Sequence, residues 1–109
     1  MKATPTKKQL SAPRQLFIEK LQKINFGRIE RLVVQDGEPV LNPMPRVVRE
    51  IKFQAENGPR PEAVKPDFVL KRQVVELFEY FDSLGHGVIT SIEVQRGLPF
   101  RMTVEEVPA

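Results

Sequence analysis

Between residues 16 and 40 the apolar positions change their period partway along. Phe17, Ile18, Leu21 and Ile24 recur at i, i+1, i+4 and i+7, the stripe of a helix packed on one side. From Gly27 the period drops to two, with Leu32 and Val34 on one face and Arg31 and Val33 on the other. Asp36-Gly37 follows, the two-residue signal of a type I′ hairpin whose central residues both need positive φ. Ser11 is placed to cap the helix, and Pro13 falls in its first turn, where a missing N–H costs nothing. The pattern predicts a helix to about Lys23, a strand from Gly27 through Gln35, and a tight turn.

The same plan recurs sixty residues later. Residues 16–40 (LFIEKLQKINFGRIERLVVQDGEPV) align without gaps on residues 76–100 (ELFEYFDSLGHGVITSIEVQRGLPF). Seven of the 25 pairs are identical, where unrelated segments of ordinary composition share about one or two. Phe17/Leu77, Ile18/Phe78, Leu21/Phe81 and Ile24/Leu84 are apolar in both copies, so the helical stripe is kept as well. In the second copy Asp67 is the expected cap of a helix with stripe Leu70, Val74, Leu77, Phe78, Phe81 and Leu84. Val88, Ile92 and Val94 are then expected on one strand face, with Thr90 among them. Arg96-Gly97 turns the chain, and Leu98, Phe100, Met102 and Val104 alternate on the return strand.

The copies diverge after the turn. Pro43 and Pro45 interrupt the first return strand, because proline supplies no ladder donor. A new extended run, RVVREIKF (46–53), places Val47, Ile51 and Phe53 on one face, and residues 54–66 have the composition of a surface loop. A lone helix–hairpin cannot bury both its stripe and its sheet face, so the two units are expected to share one core. The expected fold is α+β, an internally duplicated αββ–αββ chain. It has a mostly antiparallel sheet of four or five strands, with both helices on one face. Residues 1–10 are a basic flexible arm and residues 11–109 one domain. Within it lie a first unit (11–53), a loop (54–66) and a second unit (67–106). A swapped dimer exchanging units across the loop is a variant of the same scheme.

Charge adds an asymmetry. Residues 1–35 carry eight Lys/Arg against two Glu, a net +6, although the 109-residue chain carries only +3. Lys2, Lys7, Lys8, Arg14, Lys23, Arg28 and Arg31 are therefore candidate contacts for phosphate or for an acidic partner. With no tryptophan and one tyrosine, the chain lacks aromatics for stacking bases, so a solvated basic surface competes with nucleic-acid binding. There is no cysteine, hence no disulfide and no thiolate ligand or nucleophile, which fits a reducing, cytoplasmic compartment. No apolar run reaches the roughly 18–20 residues of a membrane span.

Residues 81–93 (FDSLGHGVITSIE) carry part of a calcium-loop pattern, with Asp82, Gly87, Ile89 and Glu93 in the right places. Leu84 and His86, however, stand where two oxygen ligands belong, and calcium takes about six to eight oxygens. The glycine and isoleucine recur as Gly27 and Ile29 in a copy with Gln22 and Val33 at the acidic positions, so the helix–strand junction explains the pattern and calcium is not expected. His86 is the only histidine. Asp82 would orient it in a general-acid reading, but its counterpart is Phe26, and Ser83 and Ser91 sit in no nucleophile motif. No catalytic, metal or cofactor site is expected.

Gln35 and Gln95 precede the two turns and are candidate paired recognition groups, or amides serving turn geometry. The run INFGRIERLVVQDGEPV (24–40) resembles a family of very short, functionally uncharacterised bacterial proteins. These carry a helix, an aromatic-Gly pair, a β-rich run and Gln-Asp-Gly. Phe26-Gly27 and Gln35-Asp36-Gly37 carry the likeness, over about a quarter of the chain, with one residue more between Gly27 and Gln35 than the family has. The resemblance implies a bacterial origin and a helix–hairpin unit, and brings no site residues. The expected function is a small non-catalytic interaction or regulatory protein. It would bind a protein partner or itself through hairpin or sheet-edge surfaces such as VREIKF. A nucleic-acid-binding regulator using residues 1–35 is the alternative, and a small enzyme centred on His86 a remote one.

Overall fold

The computed structural model describes residues 5–53 and 68–105. It contains helices α1 (Ala12–Ile24) and α2 (Arg72–Leu84) and strands β1 (Gly27–Gln35), β2 (Glu38–Pro39), β3 (Arg46–Arg49), β4 (Gly87–Gln95) and β5 (Leu98–Thr103). The strands form one curled antiparallel sheet in the order β2-β1-β4-β5, with β3 also paired to β1, beyond β2. The fold is α+β. Helices and long strands lie at a constant sixty-residue offset, and the β1–β4 register, which pairs Gly27 with Val94 and Val34 with Gly87, is symmetric under it.

Local chemistry sets the element ends. Ser11 Oγ accepts from Arg14 N–H (3.4 Å) and donates to Glu38 Oε2 (2.6 Å), tying the start of α1 to β2. Pro13 sits in the first turn, as expected. α1 stops at Asn25 (φ 63°, ψ −61°) and α2 at Gly85 (φ 70°, ψ −71°). Each is a γ-turn, closed by Phe26 N–H on the Ile24 carbonyl (2.7 Å) and His86 N–H on the Leu84 carbonyl (2.8 Å). Both hairpins have type I′ signs, with φ of 52° and 73° at Asp36-Gly37 and 54° and 75° at Arg96-Gly97.

Both helical stripes meet the sheet in one cluster. Phe17, Ile18, Leu21 and Ile24 of α1 and Val74, Leu77, Phe78 and Phe81 of α2 pack with Ile29, Leu32 and Val34 of β1 and Ile89, Ile92 and Val94 of β4. At its centre the Phe81 ring lies 5.8 Å from Phe17 and 5.7 Å from Phe78. Neither helix–hairpin has a core of its own; each completes the other's.

Four expectations are corrected. The inward face of β4 is Ile89, Ile92 and Val94, while Val88 is exposed, because β1 and β4 both break their alternation at one level. Glu30 pairs Ser91 and Leu32 pairs Ile89, with Arg31 at φ 56° between them. On β5 a register shift opposite Glu93/Val94 turns Phe100 outward and Pro99 inward. α2 begins at Arg72 with Lys71 as cap residue, not further back, because the Phe68 carbonyl, which an earlier start would offer to Arg72 N–H, accepts from Lys7 N–H (2.9 Å); Asp67 lies outside the described residues. The run 46–53 forms a strand only over Arg46–Arg49, and Val47, Ile51 and Phe53 are all exposed.

Residues 5–10 do not extend from the fold as an arm. Thr6 bridges Val69, Lys7 N–H donates to the Phe68 carbonyl (2.9 Å), and Lys7–Gln9 form a 3-10 turn. The Lys7 side chain is buried, with Nζ 3.0 Å from Glu19 Oε1 and 5.6 Å from the Phe68 ring centre. The proposed loop 54–66 lies outside the described residues, as do residues 1–4.

Candidate functional site

Among the described residues, strand pairing leaves part of β4 without a neighbour. β5 pairs with Ser91–Gln95 and reaches no further back, so among the described residues no strand adjoins Gly87–Thr90 on that side. On β1 the matching positions, Gly27–Glu30, are covered by β3. The direction of the open groups follows from one bond. Val33 gives its carbonyl to Val40 N–H (2.8 Å), so it faces β2, and its cross-strand partner Val88 is turned away from β1. Val88, and Thr90 two residues on, thus present N–H and C=O to the open side. The Val88 side chain is 51% exposed and stands opposite the exposed Val33.

Gly27 shows how closely a strand docks at such an edge. A Cβ on Gly27, at φ 153°, would lie 2.1 Å from the Val48 carbonyl oxygen and 3.0 Å from Arg49 Cα. At Gly87 a Cβ would meet only the Leu84 side chain, at 3.1–3.4 Å. Both positions are glycine, but among the described residues only Gly27 has a strand against it.

Each hairpin tip is fastened to the end of the other unit's helix. Gly37 N–H donates to the Gly85 carbonyl and Gly97 N–H to the Asn25 carbonyl, both at 2.9 Å. Beside the first tip the Arg14 guanidinium donates to the Gly37 carbonyl (2.8 Å) and to the Asp82 carboxylate, and lies 5.0 Å from the Phe78 ring centre. Beside the second tip stands Val74, the position matching Arg14, with a cavity before it.

Three of the basic candidates are paired with carboxylates. Lys7 is paired with Glu19, Arg14 with Asp82 and Glu38, and Arg28 with Glu30 (3.3 Å), which Arg46 also meets (3.2 Å). Lys8, Lys23 and Arg31 are exposed, and Lys2 lies outside the described residues. Carboxylates thus neutralise much of the charge that the sequence concentrates at the front of the chain. Gln35 and Gln95 are both exposed, and each adjoins its turn.

His86 is also exposed. Its Nδ1 accepts from Asp36 N–H and its Nε2 lies 3.3 Å from Asp36 Oδ1. Asp82, which would have oriented it, is taken by Arg14 across the helices, and Glu93 faces Arg101 at 3.5 Å. The two acids of the calcium-like pattern therefore point to different partners. Among the described residues no three His, Cys, Asp or Glu side chains gather to hold a metal ion, and no helix is long and apolar enough to cross a membrane.

Local pattern missed two features. The open edge at Val88 is a property of pairing that no short stretch encodes. Gln22 is buried among apolar neighbours, and the signal for it was available, because it stands four residues after Ile18 on the packed side of α1. No protein family, curated protein or solved structure was found to match the chain.

Proposed function

We propose that this chain is a non-catalytic interaction module that accepts an extended protein segment at the edge of β4, beside Gly87–Thr90. The observation that carries the reading is the contrast between matching edges, one covered by β3 and the other bare among the described residues. A docked segment would take the N–H and C=O of Val88 and Thr90 into a ladder, as in β-strand addition. It would lay a β-branched side chain against Val88 and Val33. In this reading the sixty-residue correspondence reflects a duplicated helix–hairpin unit. The first copy supplies its own covering strand, and the second takes one from a partner.

A synthetic peptide of this chain's residues 44–52, which include β3, is a direct probe. Titrated into isotope-labelled protein, it is expected to give saturable amide shifts and slowed hydrogen exchange at Val88 and Thr90. Val88→Pro removes an outward donor without touching the β1–β4 ladder, and is expected to abolish those shifts while leaving the core resonances in place. Shifts confined to other surfaces, or unchanged in Val88→Pro, would count against the proposal.

A further inference from the structure

β5 stops one hydrogen-bonded pair short of the part of β4 that is bare among the described residues. The two-residue turn closes on Gln95 and Leu98 as a hydrogen-bonded pair, and alternation along β4 makes Glu93/Arg101 and Ser91/Thr103 hydrogen-bonded pairs as well. Thr103 therefore turns its N–H and C=O towards β4, and Glu105, two residues on, does the same where the strand keeps its phase. Exposure shows that the phase is kept. From Arg101 to Glu105 exposed and half-buried residues alternate without a break, with Met102 and Val104 packed against the core. Val104 and Glu105 thus continue β5 in all but its pairing, which ends at Thr103.

Val88 presents its N–H and C=O to the same side of β4. It lies three residues before Ser91, whereas Glu105 lies two after Thr103, so pairing Glu105 with Val88 leaves one residue of β4 in excess. That is a bulge, and this strand pair already makes one where its register shifts at Glu93/Val94.

We infer that Val104–Glu105 is a strap that closes the edge of β4, and that the structure shows it open. Closed, Glu105 N–H donates to the Val88 carbonyl and Val88 N–H to the Glu105 carbonyl, the groups that an incoming segment needs. The strap is therefore an internal competitor for that segment. Its regulatory role rests on the docking reading above; the pairing itself rests on β5 alone. One hydrogen-bonded pair set against the ordering of two residues leaves both states populated. A site open for about a tenth to a third of the time binds about three- to tenfold more weakly than one always open.

Two substitutions at Glu105 remove the same carboxylate and act in opposite directions. Glu105→Pro has no N–H to give and is expected to hold the strap open, whereas Glu105→Thr keeps the donor and favours an extended strand. Glu105 is exposed and lies outside the helices and strands, so both variants are expected to keep the fold. Hydrogen exchange of the Val88 amide in the free full chain reads the strap without any ligand. It is expected to be about three- to tenfold faster in Glu105→Pro than in the native chain, and slower in Glu105→Thr. The 44–52 peptide is expected to bind Glu105→Pro at least about three- to tenfold more tightly than Glu105→Thr. Shifted Val88 exchange with no peptide bound by any variant would keep the strap and remove the docking reading. Equal affinity of a bound peptide for the two variants would overturn the strap's role as competitor. Val88 exchange that is the same in both variants, or slower in Glu105→Pro, would overturn the strap itself.

Discussion

Gly27→Ala and Gly87→Ala are the same substitution at matching positions, and the structure predicts opposite consequences for them. At Gly27 the new methyl carbon would lie 2.1 Å from the Val48 carbonyl oxygen. Carbon and oxygen approach no closer than about 3.3 Å in ordinary strand contacts, so β3 must retreat by about 1.2 Å. The obstacle is backbone, so no rotamer change relieves it. The bond from Glu50 N–H to the Phe26 carbonyl (2.8 Å) fixes the phase of this ladder, making Phe26/Glu50, Arg28/Val48 and Glu30/Arg46 the hydrogen-bonded pairs. A retreat of that size breaks the two or three bonds nearest Gly27, each worth about 1 kcal/mol net. An L-residue at φ 153° adds strain of about 1 kcal/mol. The expected loss is about 3 kcal/mol, and β3 can peel away without opening the core, since its residues are exposed or only half-buried.

At Gly87 the methyl meets only the flexible end of Leu84, so folding is expected to lose no more than about 1 kcal/mol. Urea unfolding of the two variants, with hydrogen exchange at Val48 and Glu50, separates the cases. Gly27→Ala is expected to lower the midpoint strongly and release those two amides. Gly87→Ala is expected to leave both nearly unchanged. Gly87→Ala is also expected to weaken the 44–52 peptide, because the added methyl narrows the approach of a strand to this edge, although Gly87 does not share the positive φ of Gly27. Equal destabilisation by the two alanines would refute the contrast between a covered edge and a bare one, and undiminished peptide binding to Gly87→Ala would refute docking beside Gly87.

Two further outcomes follow from named geometry. Arg31 is exposed yet held at φ 56°, so Arg31→Val is expected to cost about 1–2 kcal/mol in urea unfolding, whereas Arg28→Val, on the same strand, costs under about 0.5 kcal/mol. Arg14→Met keeps the apolar stem but strips the Gly37 carbonyl of its charged donor, an expected loss of about 2 kcal/mol. Asp82→Asn at the 64% exposed end of the same contact costs under about 0.5 kcal/mol.

What the sequence disclosed about the fold was local. Ser11, Pro13, the stripe Phe17–Ile24 and Asp36-Gly37 each satisfy one nearby backbone requirement, and the elements they define are where the pattern puts them. The face of β4 was a different matter. Val88 and Ile89 are adjacent and both apolar, so either phase satisfies the strand locally; the choice is made by pairing with β1, where Leu32 meets Ile89. The start of α2 is set by Lys7 bonding to the Phe68 carbonyl, a contact between residues far apart in the chain. Lys7 read as part of a basic arm because its charge is local information, but the stem that packs near Phe68 and the carboxylate of Glu19 are not. The edge of β4 that is bare among the described residues was beyond reach for the same reason, since it is defined by where β5 ends.

The two matching edges make one a control for the other. β3 lies so close to Gly27 that a Cβ there would meet the Val48 carbonyl oxygen at 2.1 Å. Among the described residues no strand adjoins Gly87–Thr90, and a Cβ on Gly87 would meet only Leu84. The loss of β3 in Gly27→Ala is therefore the reference for a segment docked beside Gly87. If that segment pairs with Val88 and Thr90 as β3 pairs with Arg28 and Glu30, its hydrogen-exchange protection falls on alternate residues of β4, as it does on alternate residues of β1.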